Sequence, residues 1–244
     1  MLRIIIAGIF VFIFLVLTIP VLLVEWIVGE FNPKAKEKSC FHIIQWAFRL
    51  VLKVCGTKVI IYGEENIPTD RSVLFVGNHR SIFDILLVYT TVKRPTGIIA
   101  KQELKKVPLL NVWMANIGCF FLDRKNIKEG LKMVLNAVEK VKDGMSILIF
   151  PEGTRSKEEG VVLPFKGGSF KIAEKSGCDV IPFAIINSAE IFENHKPFIK
   201  KTKVIINYGE PIHTSDFDRK EYKEIPDIAR NKVIELHDSK KNEI

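Results

Sequence analysis

Cysteine is scarce in this sequence: Cys40, Cys55, Cys119 and Cys178 are the whole complement, and no two of them form a CxxC pair. The five histidines are scattered, with neither an HExxH nor a zinc-finger spacing. Nothing here makes a specific case for a metal site, and none is expected. Four thiols without a disulfide framework suit a reducing compartment. A G-x-S-x-G elbow is missing, and the cysteines lack a nucleophile motif, which removes the usual routes through an acyl-enzyme. The glycines of PFKGGSF around Lys166 do not have P-loop spacing, so nucleotide hydrolysis is not indicated. No helix-turn-helix, RNP or zinc module interleaves the basic residues, so nucleic acid is not an expected partner. Internal repeats and low-complexity tracts are also absent.

Acidic residues are in deficit, 28 against 36 basic ones, which gives a formal charge of +8. With 48% hydrophobic residues the chain is not generally disordered, and its charge suits anionic lipid or phosphorylated ligands. Its 244 residues provide one catalytic domain with a real core and a short attachment segment. Ile4 to Val24 carries no charge, reaches the length of a membrane helix and exceeds the apolar core of a secretory signal, so its retention is expected, with a kink at Pro20. A polar linker follows at Asn32-Pro33 with Lys34, Lys36 and Lys38, then a second apolar stretch, Phe41 to Val54. Arg49 and Lys53 make this stretch too charged for an easy crossing but suited to an interface. Either one span or a two-helix hairpin in one leaflet fits. The denser lysine cluster favours a cytoplasmic main domain. The expected division is a membrane-associated segment, 1–56, and a catalytic domain, 57–244.

Beyond residue 57 short β-rich runs alternate with helical ones. The expected strands are Lys58–Tyr62, Ser72–Val76, Gly97–Ala100, Cys119–Leu122, Ser146–Phe150, Val180–Ile185 and Lys203–Tyr208; the expected helices are Ile82–Tyr89, Ile127–Lys142 and Phe165–Lys175. Leu131, Val134, Leu135 and Val138 read as core packing. From Arg230 onward a peripheral helix is expected to fray into a polar tail. This alternation gives an α/β fold with a mixed or partly parallel sheet flanked by helices.

The strand SVLFV runs into Gly77-Asn78-His79-Arg80-Ser81 before an apolar helix begins. A histidine at a strand exit enters the region where α/β folds bind ligands. If His79 sits in the turn before the helix, Asp84 can accept a hydrogen bond from one ring nitrogen while the other takes a proton from a hydroxyl. The same residues also fit a plain helix cap, with Asp84 meeting amide donors and His79 a polar loop residue. In FPEGTRS, Gly153 permits a tight turn, with Glu152 and Arg155 at the sheet edge. An arginine fork suits a phosphate monoester, and Arg124 could converge on the same anion. Both arginines could equally be solvated, or paired with Asp123 and Glu152. Lys101 and Lys105, four apart, are expected on one helical face.

Asn78-His79-Arg80-Ser81-Ile82-Phe83-Asp84 resembles the NHxSxxD block of the glycerolipid acyltransferases, specifically the bacterial 1-acyl-sn-glycerol-3-phosphate acyltransferase family. Gly118 to Arg124 resembles its second block, Phe150 to Ser156 its third and Val180 to Ile185 its fourth, and the preceding two-helix segment is also similar. The resemblance implies a glycerolipid acyltransferase-like fold, with His79 as general base and Asp84 as its partner. It also implies that Arg124, Glu152, Gly153, Thr154 and Arg155 form the phosphate site, to which Lys105 is added. The implied reaction moves an acyl group from an acyl carrier protein or coenzyme A thioester to the sn-2 hydroxyl of lysophosphatidic acid, giving phosphatidic acid without a cofactor. The implied place is the cytoplasmic face of the bacterial cell membrane, against anionic lipids. Trp113, Met114, Phe120 and Phe121 are candidate linings of an acyl slot. Two rival readings are an acyltransferase for another lysophospholipid or an aminoacyl lipid, and a noncatalytic adaptor for anionic membranes.

Overall fold

A computed structural model describes residues 1–122, 127–218 and 220–244. The chain opens with α1 (Leu2–Leu17), α2 (Ile19–Phe31) and α3 (Pro33–Cys55). The apolar segment expected as one kinked helix is divided at Thr18, with α1 and α2 bent by 49°. Pro20 lies in the first turn of α2, where its missing N–H costs least. An unbroken helix would set its ring against the carbonyl four residues earlier. Thr18 closes α1 by donating its hydroxyl to the Phe14 carbonyl at 2.7 Å. Among the described residues no single helix is long and apolar enough to cross a membrane, but the bent pair together is, by length and composition. Ile5, Ile9, Phe12, Leu17, Leu23, Trp26 and Phe31 on it are exposed.

The stretch expected as a polar linker is helical. Asn32 caps α3 by accepting from the Ala35 amide at 3.0 Å, Pro33 opens the helix, and Gly56 ends it in the left-handed region at φ 74°. Nor does α3 simply lie in an interface. Cys40, Phe41, Ile44, Val51 and Leu52 are buried in the core against the sheet, while Trp46 is exposed.

All seven expected strands form, with ends shifted by no more than two residues: β1 (Lys58–Tyr62), β2 (Leu74–Gly77), β3 (Thr96–Lys101), β4 (Phe120–Leu122), β5 (Ser146–Ile149), β6 (Val180–Ile186) and β7 (Lys203–Tyr208). They make one mixed sheet in the order β1-β7-β6-β2-β5-β3-β4. The run from β6 to β4 is parallel; β7 pairs antiparallel to β6 and parallel to β1. β2, β5 and β6 are buried throughout, which explains their continuous apolar reading.

The remaining helices are α4 (Phe83–Tyr89), α5 (Leu110–Asn116), α6 (Ile127–Lys142), α7 (Lys171–Ser176) and α8 (Ile225–Lys240). One layer joins α3, α4 and α5 to Phe75, Phe183 and Tyr208; the other joins α6, α7 and α8 to Leu74, Val76 and Ile147. Three expectations change. In α6 the buried stripe is Ala137, Val138 and Val141, so Leu131 and Leu135 face outward at 58% and 46% exposure. Gly167 and Gly168 disfavour an α-helical start, so a 3₁₀ turn, Gly167–Phe170, precedes a short α7. α8 begins at Ile225 and is not peripheral: Ile225, Ala229 and Val233, one turn apart, are fully buried.

Candidate active site

The parallel register places the exits of three adjacent strands at one sheet edge: Val76 of β2 is level with Ile149 of β5, and Gly77 with Phe183 of β6. Gly77 has no alternative side chain, since a Cβ there would lie 2.3 Å from the Phe183 ring. Beyond it Asn78 extends the ladder through its side chain. Its amide donates to the Ile185 carbonyl at 2.8 Å and its oxygen accepts from the Ile185 amide at 2.8 Å. His79 is thereby held at the end of a rigid strand. Its carbonyl accepts from the Ser156 amide at 2.8 Å, and its ring stacks on Phe150 at 4.3 Å with planes 15° apart.

Asp84, in the first turn of α4, reaches back over this loop. Its Oδ2 is 2.8 Å from His79 Nδ1 and accepts from the amides of Arg80 and Ser81, both at 2.7 Å. Both readings of Asp84 therefore hold together: it meets the amide donors at the head of the helix and it partners the histidine. The carboxylate places the imidazole proton on Nδ1. Nε2 has no partner among the described residues, and the His79 side chain is 19% exposed. It is the nitrogen able to receive a proton. Oδ1 of Asp84 is buried and has no partner among the described residues. Arg80 points away from the cleft: it is buried, ion-paired to Glu159, and donates to the Lys157 carbonyl at 3.1 Å.

Glu152 is buried beneath the loop and spends both oxygens on backbone. Oε1 accepts from the His79 amide at 2.7 Å and Oε2 from the Leu163 amide at 3.2 Å. Burial pushes its carboxyl up to about 7 despite those two donors. Gly153 sits at φ 72° with its amide on the Phe150 carbonyl at 3.1 Å, and a Cβ there would meet Lys166 Nζ at 2.7 Å. Lys166 is thus laid across the turn. Thr154 and Arg155 are exposed. Arg155 pairs not with Glu152 but with Glu193, Nη1 to Oε1 at 3.0 Å. Glu193 also accepts from the Ser81 hydroxyl at 2.6 Å and the Ile82 amide at 2.9 Å. The arginine is thereby joined to the loop that carries His79.

Other expected residues stand further off. Lys105 is exposed on a 3₁₀ turn, Gln102–Lys106, after β3, two strands from β2 and so about 10 Å along the sheet edge. Lys101 ends β3, so the helical face expected to join it to Lys105 does not form. Arg124 and Asp123 lie outside the described residues. Trp113 is buried and donates to the Thr18 hydroxyl at 3.1 Å, packing the elbow of α1 and α2. Phe120 packs into the layer that holds α6, and Phe121, next along the strand, faces the opposite layer, so the two do not share a slot. Met114 is half-buried on α5.

Sequence reasoning missed two residues here. Phe150, the first residue of FPEGTRS just beyond the end of β5, supplies the flat support for the imidazole; its place in that block was legible, but this role was not. Glu193 carries no motif. Among other nucleophile candidates, burial pushes the Cys119 thiol to about 12 and the Cys178 thiol to about 11, leaving both inert at neutral pH. Among the described residues, no three His, Cys, Asp or Glu side chains stand together as metal ligands do.

Comparison with known proteins adds an independent finding. Residues 58–186 match the family model described as Acyltransferase. The chain is 30% identical to the 1-acyl-sn-glycerol-3-phosphate acyltransferase of Borreliella burgdorferi, over 80% of this chain and 77% of that one. It is 27% identical to the probable 1-acyl-sn-glycerol-3-phosphate acyltransferase of Mycoplasma pneumoniae, over 80% and 75%. The crystal structure of the 1-acyl-sn-glycerophosphate (LPA) acyltransferase PlsC from Thermotoga maritima is similar at a TM-score of 0.80 and 29% identity, covering 96% of this chain and 95% of that one.

Proposed function

Because the chain belongs to the 1-acyl-sn-glycerol-3-phosphate acyltransferase family, we propose that it transfers an acyl group from a thioester to the sn-2 hydroxyl of lysophosphatidic acid, with His79 as general base. The observation that carries this reading is the 2.8 Å contact between His79 Nδ1 and Asp84 Oδ2, which leaves Nε2 open beside a loop tied to Arg155.

In the proposed reaction His79 Nε2 takes the proton of the acceptor hydroxyl as its oxygen bonds to the thioester carbonyl carbon. The imidazolium formed is stabilised by the Asp84 carboxylate. Collapse of the tetrahedral intermediate re-forms the carbonyl and breaks the carbon–sulfur bond. The thiolate then recovers the proton from His79, leaving phosphatidic acid and a free carrier thiol. Arg155, with Arg124, would hold the acceptor phosphate. Gly153 and Thr154 shape the turn that presents Arg155, and Glu152 fixes the His79 backbone. The family resemblance implies an acyl carrier protein or coenzyme A thioester as donor, and a chain with a charge of +8 favours either acidic carrier. The exposed apolar faces of α1 and α2, followed by the lysines of early α3, support attachment of the 1–56 segment to an anionic membrane, with the main domain on the cytoplasmic face of a bacterial cell membrane.

The test is an assay of the lipid-reconstituted protein with labelled acyl-coenzyme A and acyl carrier protein thioesters. The acceptors are lysophosphatidic acid and the matching monoacylglycerol. Phosphatidic acid should form from at least one donor, with the phosphate-free acceptor used far less well. Equal use of both acceptors would overturn the phosphate assignment, and no acyl transfer to either would overturn the reading.

A further inference from the structure

Glu193 begins the 3₁₀ turn Glu193–His195 that follows β6, more than a hundred residues from the His79 loop. Its side chain is 12% exposed and receives three donors from two different loops. Oε1 accepts from the Ile82 amide at 2.9 Å and from Arg155 Nη1 at 3.0 Å, and Oε2 accepts from the Ser81 hydroxyl at 2.6 Å. The turn itself is fixed by Glu190, which accepts from Asn194 at 2.5 Å and contacts His195 Nε2 at 2.6 Å. Glu193 therefore stands on a braced support.

Arg155 uses one N–H in this pairing. Its guanidinium has five, and its side chain is 39% exposed, so the remaining fork is open to an anion. A solvated arginine would lose side-chain freedom on gripping a ligand, which weakens the grip. Glu193 removes part of that freedom beforehand. It does so by tying the guanidinium to Ser81 and Ile82, two and three residues beyond His79, so the anion site and the imidazole share one frame.

We propose that Glu193 is a positioning residue for the acceptor phosphate, holding Arg155 at a set place relative to His79 so that a phosphate gripped by the one brings its hydroxyl to the other. The proposal rests on the reading of Arg155 as a phosphate ligand. It assigns Glu193 a part in acceptor recognition beyond bracing the loop.

A double-mutant cycle distinguishes the two roles. The quantity followed is the ratio of kcat/KM for lysophosphatidic acid to that for monoacylglycerol, in wild type, Glu193→Ala, Arg155→Ala and the double variant, with thermal unfolding measured in parallel. Glu193→Ala should lower the ratio by roughly tenfold or more, as expected for the loss of a charge-assisted contact, chiefly through KM for the phosphate-bearing acceptor. Added to Arg155→Ala it should lower the ratio no further. Glu193→Gln, which keeps an acceptor oxygen but not the charge, should fall between, and it carries the cycle if Glu193→Ala does not fold. An unchanged ratio in the Glu193 variants, or a loss that adds in full to that of Arg155→Ala, would overturn the proposal. An unchanged ratio in Arg155→Ala itself would instead remove the phosphate reading on which it stands.

Discussion

The backbone amide of His79 donates to Oε1 of Glu152 at 2.7 Å, so the strand that delivers the imidazole and the turn that delivers Arg155 are fastened through a single buried carboxylate. Oε2 of the same group takes the Leu163 amide at 3.2 Å. Both oxygens can accept whether or not one carries a proton, which a glutamine cannot match because one end of its amide only donates.

That relationship has a measurable pH signature. Burial raises the Glu152 carboxyl from 4.5 to about 7, so between those values the folded chain holds the proton more tightly than the unfolded chain. Its contribution to stability is fully present below about 4.5 and is lost as pH rises through about 7. The unfolding free energy of wild type minus that of Glu152→Gln should therefore fall over this interval, by as much as about 3 kcal/mol. Denaturant titrations at several pH values measure it. A difference that does not change with pH would contradict the account.

Asp84 has two tasks that two substitutions separate. Asp84→Ala leaves the Arg80 and Ser81 amides without their acceptor, at about 1–3 kcal/mol for each buried donor, and should lower the thermal midpoint as well as abolish activity. Asp84→Asn keeps an acceptor oxygen but loses the charge that steadies the imidazolium. It should retain most of the stability while kcat falls on the order of 100-fold or more. Equal thermal losses in the two variants would show that the charge, not the acceptor, holds the loop.

Much of this arrangement was legible in the sequence, and the exceptions have physical causes. The strands were readable because apolar and β-branched runs lie between turn residues, and His79 with Asp84 because a strand exit and a helix start fix their separation. The start of α8 was hidden by Pro226, which reads as a breaker but stands in the first turn, where proline is accommodated. The outward turn of Leu131 and Leu135 was hidden because α6 has apolar residues on more than one flank, and only packing decides which flank the sheet takes. The break at Thr18 follows from Pro20, yet no local signal places it two residues earlier. Glu193 was invisible because its partners are assembled by the order of β2, β5 and β6, not by any spacing along the chain.

The exposed apolar surface of the first two helices carries its own expectation. Ile9 is 53% and Phe12 is 68% exposed, both on α1. Replacing both with aspartate should reduce flotation with vesicles containing anionic lipid, because each charge at lipid depth costs about 2.5–3.5 kcal/mol. Undiminished flotation would remove α1 from membrane attachment.

The most direct measurement compares kcat of acyl transfer to lysophosphatidic acid in wild type and His79→Ala, with circular dichroism to check that the fold is retained. Removal of a general base should lower kcat by roughly 100- to 10,000-fold in a folded variant. A folded His79→Ala protein turning over within about twofold of wild type would contradict the role of His79, since general-base catalysis is worth far more than that.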